Sequence, residues 1–577
     1  MDLLRQTKRP GIIAPTDLKS CYDRISHSIA SLSMQRQGIQ ESEILCMFTP
    51  LQRLEHTIRC AYGDSSKTYG TEAGVAPMQG VYQGNGAGPI IWAVVSSPLL
   101  QILREDGFGT FFRSAISQKT IRLVGYAFVD DTDLIQTART NESFHEVHVH
   151  MQQALDLWEG LIKSTGGAIA VDKCRWWGVD FHWNQNGDWR YKTTAELNTS
   201  LFIKDTHEVR DKVRQLEFNE SYETLGVLLA ADGNQDDQYK ELCEWTANWA
   251  DRLRISFLSE SETVQAIQTS IMKKLEYPLL AMTLTREQCD NILKPLLRTA
   301  LPRTRINRNF CRKTLRAPGG FLGLNFPCLY TSQVVAHMEC LLRHGGQSTI
   351  TGRLLEGTIE VAKAELGFPG KLFSHSASEF SHLLTSSWIK DIWHEIHDNK
   401  MTFIEHTDDL QLKRENDQFI MTAVLKLPLT PKQIRTINKC RIHLQVYTFS
   451  DLCSGDGFYL LPYYRERFNP LSQFTDLEWP DQGPLPDRSW GLWKRTISTI
   501  LPSLDSGRLL FPLGDWTRRS KTWGAVFESS TKTLTVRQHD TWHALIQNRS
   551  TFTGNNSRYT YLGTVPPPGE TSHLAVA

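Results

Sequence analysis

Apolar and polar positions change period several times along the chain, and each change marks an element. The stretch "GIIAPTDLKS" from residue 11 is apolar at its start and polar at its end, which predicts a strand. Helical spacing follows over about 26–61, broken near "QGIQES". A glycine-rich loop, "MQGVYQGNGAGP", then leads into a predicted helix over 89–105, with Pro89 in its first turn. Residues 121–137 read as two short strands meeting at Asp130 and Asp131 in a hairpin. A helix over about 141–164 and a return to strand in "GGAIAVDKCRWWGVDF" complete this series. The polar "HWNQNGDWRYKTTAELNTS" predicts an insertion or a surface hairpin, and "TLGVLLAADGN" a short strand with a turn.

From 238 to about 300 the period is helical again, with Trp245 and Trp249 at i, i+4 and Leu253 on the same face. Further on the sequence is mixed and mainly helical. "DQGPLPDRSW" reads as a loop and "TVPPPGETSHLAVA" as a Pro-rich trailing linker. The order strand, helices, glycine loop, helix, hairpin, helix, strand predicts an α+β domain, a small antiparallel sheet backed by helices. The expected division is 1–240 for this domain, 241–345 for a helical unit, and 346–577 for a C-terminal region of unknown role. No internal repeat is visible.

Composition narrows the class only slightly. Over 577 residues, 40% apolar and 22% charged content is that of an ordinary globular protein. The formal net charge is zero, so charge has to be read locally. Eleven cysteines, an odd number with no CxxC pair, predict free thiols in a reducing compartment and neither a disulfide framework nor a zinc module. The opening "MDLLRQTKRPG" has no apolar signal core, and the longest apolar run is shorter than the ~18 residues a membrane helix needs. The expectation is an intracellular protein, nuclear or cytoplasmic, with no membrane partner. "HEVHVH" fails the HExxH zinc pattern because Val149 stands where the second histidine belongs.

The chemistry concentrates in "LVGYAFVDDTDLI", where Asp130 and Asp131 sit side by side in an otherwise apolar segment. Bringing like charges together out of bulk water is costly unless a cation accompanies them. If the hairpin lies beside the first strand, a strand spacing of ~5 Å brings Asp17 to the same place. Three carboxylates supply the oxygen ligands Mg²⁺ prefers, and two such ions can drive an in-line displacement at phosphorus. Taken alone, an Asp pair in a turn is more often structural, because Asp favours turns. "GNGAG" alone is neither a dinucleotide fingerprint nor a P-loop. Asp23 and Asp133 read as structural, hydrogen-bonding nearby backbone.

Taken in order, "DLKSCYDRI", "QGNGAGP", "FVDD", "VDKC" and "LGVLLAADG" resemble the successive palm motifs of reverse transcriptases. The likeness is greatest to non-LTR-like retroelement (retrotransposon) polymerases of protists and algae, and covers roughly residues 10–350. It implies a polymerase palm over 1–240 and a thumb over 241–345. It also implies RNA-directed DNA polymerase activity, a nucleotidyl transfer from dNTP to a primer 3′-hydroxyl on an RNA template. By the same resemblance Asp17 and Asp130 are the main ligands of two Mg²⁺ ions (or Mn²⁺), with Asp131 the adjacent carboxylate. Tyr22 matches the aromatic under the sugar of the incoming nucleotide, where a ring collides with a 2′-hydroxyl; a core aromatic is the other reading. Gln83 and Gly84 match the loop that touches template and nucleotide, and Gly84, Gly86 and Gly88 would let backbone approach closely. Lys173 matches the proposed general acid toward pyrophosphate, or is a solvated strand-end lysine.

Residues 241–320 carry thirteen Lys and Arg against eight Asp and Glu. Arg298, Arg303, Arg305, Arg308, Arg312, Lys313 and Arg316 form a stripe suited to the phosphates of a primer–template duplex, or a merely solvated face. The chain departs from the family in two ways. The strand bearing Asp17 starts almost at Met1, where such enzymes carry fingers, so the expectation is an N-terminally incomplete polymerase. Phe128 and Val129 also stand where the family has Tyr-Ala. No endonuclease is recognised, and no ribonuclease H constellation in 350–577. Two expectations follow: a polymerase with its carboxylates intact, or a degenerate retroelement fragment that only binds nucleic acid.

Overall fold

The structure is a computed structural model describing residues 1–68, 79–82, 84–139, 142–204, 208–454, 457–461, 467 and 477–514, with the backbone of four strands between 525 and 565. The first part is organised by a five-stranded sheet. Its strands are β1 (Gly11–Thr16), β2 (Gly125–Phe128), β3 (Asp131–Thr137), β4 (Arg175–Val179) and β5 (Arg214–Leu216), in the order β5-β4-β1-β3-β2. All neighbours are antiparallel except β5, which runs parallel to β4. In the central pair, Gly11 faces Thr137 and Thr16 faces Thr132.

Side chains alternate across a strand, and here the alternation separates two cores. Ile12 and Ala14 of β1 and Leu134 of β3 enter the larger one, while Ile13 joins Trp177, Val179 and Leu216 on the opposite face. Helices α1 (Gly88–Glu105) and α2 (Phe144–Ser164) cover the larger core. α1 contributes Ile91, Trp92, Val95 and Leu99, and α2 contributes Val147, Met151, Leu155, Trp158 and Ile162. Their three- and four-residue spacing is the apolar stripe of an amphipathic helix. α2 starts at a capping box in which Ser143 and Glu146 satisfy each other's backbone N–H groups.

The expected long helical stretch is two helices, His27–Arg36 and Glu41–Gln52, separated at Gly38, whose φ is +84°. The polar insertion is a hairpin, Phe181–Trp183 with Trp189–Tyr191. "TLGVLLAADGN" supplies one arm of a second hairpin, Tyr222–Thr224 with Val227–Leu229. Helices α3 (Asp236–Ile255) and α4 (Arg286–Arg303) pack around a separate core that includes Leu242, Leu253, Leu293 and Leu297. Trp245 and Trp249 lie at the edge of that core, the former under the Lys274 ammonium at 3.7 Å.

The C-terminal region is mainly helical, as expected, with helices Ile350–Leu366, Trp388–Asp398, Pro431–Leu444 and Asp487–Ile500 over two further apolar clusters. It clasps the first part. Lys8 pairs with Glu365 at 3.4 Å, Arg9 with Glu478 at 2.7 Å and Lys439 with Asp188 at 2.7 Å. An antiparallel four-stranded sheet follows, built from Ala525–Glu528, Thr533–Gln538, Thr541–Gln547 and Tyr559–Val565. The pattern of the sequence does not predict this sheet, and the expected linker's residues 566–577 lie outside the described residues. The architecture is thus a mixture of helices and small sheets.

Candidate active site

The register of β1 against β3 decides where the carboxylates stand. Thr16 is the last paired residue of β1, and its hydroxyl donates to the Thr132 carbonyl at 2.8 Å. The next residue, Asp17, therefore comes level with Asp131. β2 and β3 pair Phe128 with Asp131, which leaves Val129 and Asp130 as the two-residue turn of the hairpin. Val129 has φ of +58°, a conformation a β-branched residue rarely adopts. The Trp92 indole N–H, from α1, donates to the Val129 carbonyl and braces that turn.

Asp17 is also fixed from its other side. Its carbonyl accepts from the Ala170 N–H at 2.9 Å, and Lys19 N–H donates to the Ala168 carbonyl at 2.8 Å. The segment before β4 consequently runs beside Asp17 and delivers Lys173, whose ammonium lies 3.3 Å from the Asp17 carboxylate. The Tyr222 hydroxyl donates to the Lys173 carbonyl at 3.2 Å. Hydrogen bonding to Asp17 raises the Lys173 pKa, so the side chain is held as a cation.

The electrostatics report the crowding of like charges. Burial, then Asp130 and Asp17, raise the Asp131 pKa, and Lys173 acts against them. Burial together with Asp130 and Asp17 also pushes the Cys21 thiol up to about 12. Asp133, two residues along the same face of β3 from Asp131, is raised to about 6 by burial and by Asp131. Its carboxylate takes no hydrogen bond among the described residues, contrary to the backbone-bonded role expected for it.

Tyr22 and the glycine loop are positioned together. Tyr22 lies in the short helix Cys21–Arg24, and its carbonyl accepts from the Val81 N–H at 2.7 Å. Gly80, at φ +92°, permits this contact, since a Cβ there would lie 2.6 Å from the Asp23 backbone. The Tyr22 ring rests on the start of α1, 3.3 Å from where a Gly88 Cβ would be. Gly84 has φ of +94°, and among the described residues nothing lies within 4 Å of where a Cβ on Gly84 or Gly86 would be. Of the three glycines expected to admit nucleic acid, Gly84 and Gly86 have no described residue against them and Gly88 instead makes room for Tyr22. Gln83 lies outside the described residues.

The basic stripe divides. Arg303 turns inward and donates to the Leu253 and Ser256 carbonyls and to the Ser256 hydroxyl at 3.2 Å, capping the end of α3. Arg305 pairs with Glu260, Arg316 with Asp290 at 2.6 Å, and Arg312 donates to the Arg308 carbonyl at 2.9 Å. Arg298, Arg308 and Lys313 are exposed and form no ion pair among the described residues. Trp92 and Tyr222, which brace the hairpin turn and Lys173, were not singled out from the sequence. Each is an ordinary aromatic in an apolar pattern, and only the fold shows its polar end directed at the site.

Among the described residues, no three His, Cys, Asp or Glu side chains meet the geometry of a metal site. Like charges keep apart until a cation draws them in, and Lys173 partly fills that role for Asp17. The donor set is all carboxylate oxygen at one end of the sheet, which suits a hard cation such as Mg²⁺ better than zinc. No helix among the described residues is long and apolar enough to cross a membrane.

No family model matches the sequence, and no curated protein matches it. Among solved structures, the chain is similar to telomerase from Candida albicans in complex with a TWJ fragment of telomeric RNA, at 12% identity and a TM-score of 0.27, over 70% of this chain and 53% of that one. Telomerase from Candida tropicalis, solved with the same kind of RNA fragment, matches at 13% identity and a TM-score of 0.23, over 61% and 50%. The chain spans about half the length of these neighbours. At such TM-scores the likeness fixes neither fold nor function, and the site's own geometry has to carry the functional conclusion.

Proposed function

We propose that the chain contains the palm and thumb of a reverse transcriptase of retroelement type, an RNA-directed DNA polymerase. One observation carries this: the β1–β3 register sets Asp17 level with the hairpin pair Asp130 and Asp131, with Lys173 at 3.3 Å from Asp17. Asp17, Asp130 and Asp131 would hold two divalent cations. When bound, two Mg²⁺ ions, or Mn²⁺, activate the primer 3′-oxygen and stabilise the leaving pyrophosphate.

The chain's own residues do the rest. The braced hairpin turn fixes Asp130 beside the primer end, with Trp92 holding the backbone in place. The Tyr22 ring, backed by Gly88, occupies the space a 2′-hydroxyl would need, which selects deoxynucleotides. Gly84 and Gly86 leave backbone open to template and nucleotide. Lys173, a cation in the resting site beside Asp17, would donate a proton to the leaving pyrophosphate. Arg298, Arg308 and Lys313 remain available to the phosphates of the RNA template and DNA primer.

The test is primer extension with dTTP and Mg²⁺ on poly(rA)/oligo(dT). The native chain should extend, and Asp130→Asn should lower the rate by more than about a hundredfold. Nucleic-acid binding without extension by either protein would favour a retroelement fragment that only binds.

A further inference from the structure

Residues 291–338 contain eight Lys and Arg and no Asp or Glu. Within them the chain leaves the short helix Arg312–Arg316 and doubles back on it. The Leu324 N–H donates to the Thr314 carbonyl at 3.1 Å, Asn325 to Ala317 at 3.0 Å and Phe326 to Leu315 at 2.9 Å. The turn needs left-handed backbone at Leu322, φ +57°, and at Asn325, φ +50°. It also passes so close to itself that a Cβ on Gly323 would lie 1.9 Å from the Ala317 carbonyl oxygen. Asn tolerates this region, but Leu322 is held there unfavourably, and such strain collects at functional sites.

What this turn presents is apolar. Phe321 is 81% exposed and Leu322 90%. The same folded segment carries Arg308 and Lys313, which are exposed and form no ion pair among the described residues, Lys313 lying in the short helix onto which the turn folds back. An exposed ring on a tight turn, in a segment that also carries exposed cations, has the two elements that single-stranded nucleic acid requires: a stacking platform and a track for the backbone. The eight Lys and Arg with no Asp or Glu over 291–338 suit a polyanionic strand, and a lipid surface, which can also take an exposed apolar tip, is the outcome the vesicle arm of the test separates.

We propose that the Phe321–Leu322 crest is a base-stacking wedge, which seats an unpaired or terminal base while the adjoining phosphates run over Arg308 and Lys313. The wedge rests on the nucleic-acid side of the proposed function and is independent of its metal chemistry.

The experiment uses the full chain and an RNA–DNA duplex with a single-stranded overhang carrying 2-aminopurine, read by fluorescence and by affinity. Binding should quench the probe. Phe321→Ala should weaken affinity by about tenfold or more and remove the quench, while Phe321→Trp should restore both. Arg308→Ala should keep the quench at saturation and lower the slope of log affinity against log salt by about 0.7–0.9. A thermal melt of Phe321→Ala should match the native chain, since the ring touches little. The wedge is overturned if Phe321→Ala binds and quenches as the native chain does. It is equally overturned if that variant loses only binding to phosphatidylserine vesicles. Asp130→Asn, run in parallel, separates the two ideas: lost extension with unaltered Phe321→Ala binding sinks the wedge alone, and no nucleic-acid binding by the native chain sinks both.

Discussion

The carboxylate end of the sheet and the arginine-rich segment are both clusters of like charge, and the fold treats them differently. Asp17, Asp130 and Asp131 are short side chains whose positions follow from strand register and a two-residue turn. Their charges are left crowded, with Lys173 the cation that acts against them among the described residues, and burial together with Asp130 and Asp17 raises Asp131. The arginines are long, and several bend back to nearby partners: Arg303 to carbonyls, Arg305 to Glu260, Arg316 to Asp290. A short carboxylate on a strand end keeps the place its backbone assigns, whereas a guanidinium on a long stem finds whatever acceptor is near. A run of charge in sequence therefore fixes where the charges gather more closely for Asp at strand ends than for Arg around helix ends.

Substitutions can break or sharpen that contrast. The largest effect is expected at the carboxylates: Asp17→Asn should cut primer extension by more than about a hundredfold while leaving the melting temperature no lower, because like-charge repulsion is relieved. A loss of stability comparable to the loss of activity would make Asp17 a structural residue. Next comes Gly80→Ala, which forces a Cβ into the Asp23 backbone at φ +92° and should destabilise by about 1–3 kcal/mol in a denaturant titration. The Tyr22 helix would then lose its support.

In the basic segment, Arg303→Ala should lower stability by about 1–3 kcal/mol, since two carbonyls lose a charged donor. Arg298→Ala should stay within about 0.5 kcal/mol of the native chain and act only on the salt dependence of binding. If the two behave alike, the division of the stripe is wrong. The smallest effect expected is on sugar choice: Tyr22→Ala should raise ribonucleotide incorporation in a competition assay, and unchanged selectivity would return the ring to the core.

Much of the sheet domain was legible because each element carries its own period. The helices over 88–105 and 144–164, the hairpin at Asp130 and the hairpin after Phe181 all lie close to where the pattern put them. The order of the motifs puts Asp17 near the hairpin, and the β1–β3 register does the same. The ion pairs by which the C-terminal region holds Lys8, Arg9 and Asp188 were not legible, since they join residues hundreds of positions apart with no local signature. Nor was the inward turn of Arg303, which depends on where α3 ends relative to α4. The four strands over 525–565 were missed because they follow a long, mainly helical stretch whose pattern is weak.

The central claim is that three crowded carboxylates form a cradle for divalent cations. Electron paramagnetic resonance of Mn²⁺, titrated into the chain with primer–template and a deoxynucleoside triphosphate, measures it most directly. Two ions should bind per native chain beyond those held by the nucleotide and nucleic acid alone, and an Asp17→Asn, Asp130→Asn double variant should bind neither. Equal Mn²⁺ uptake by the native chain and the double variant would contradict it.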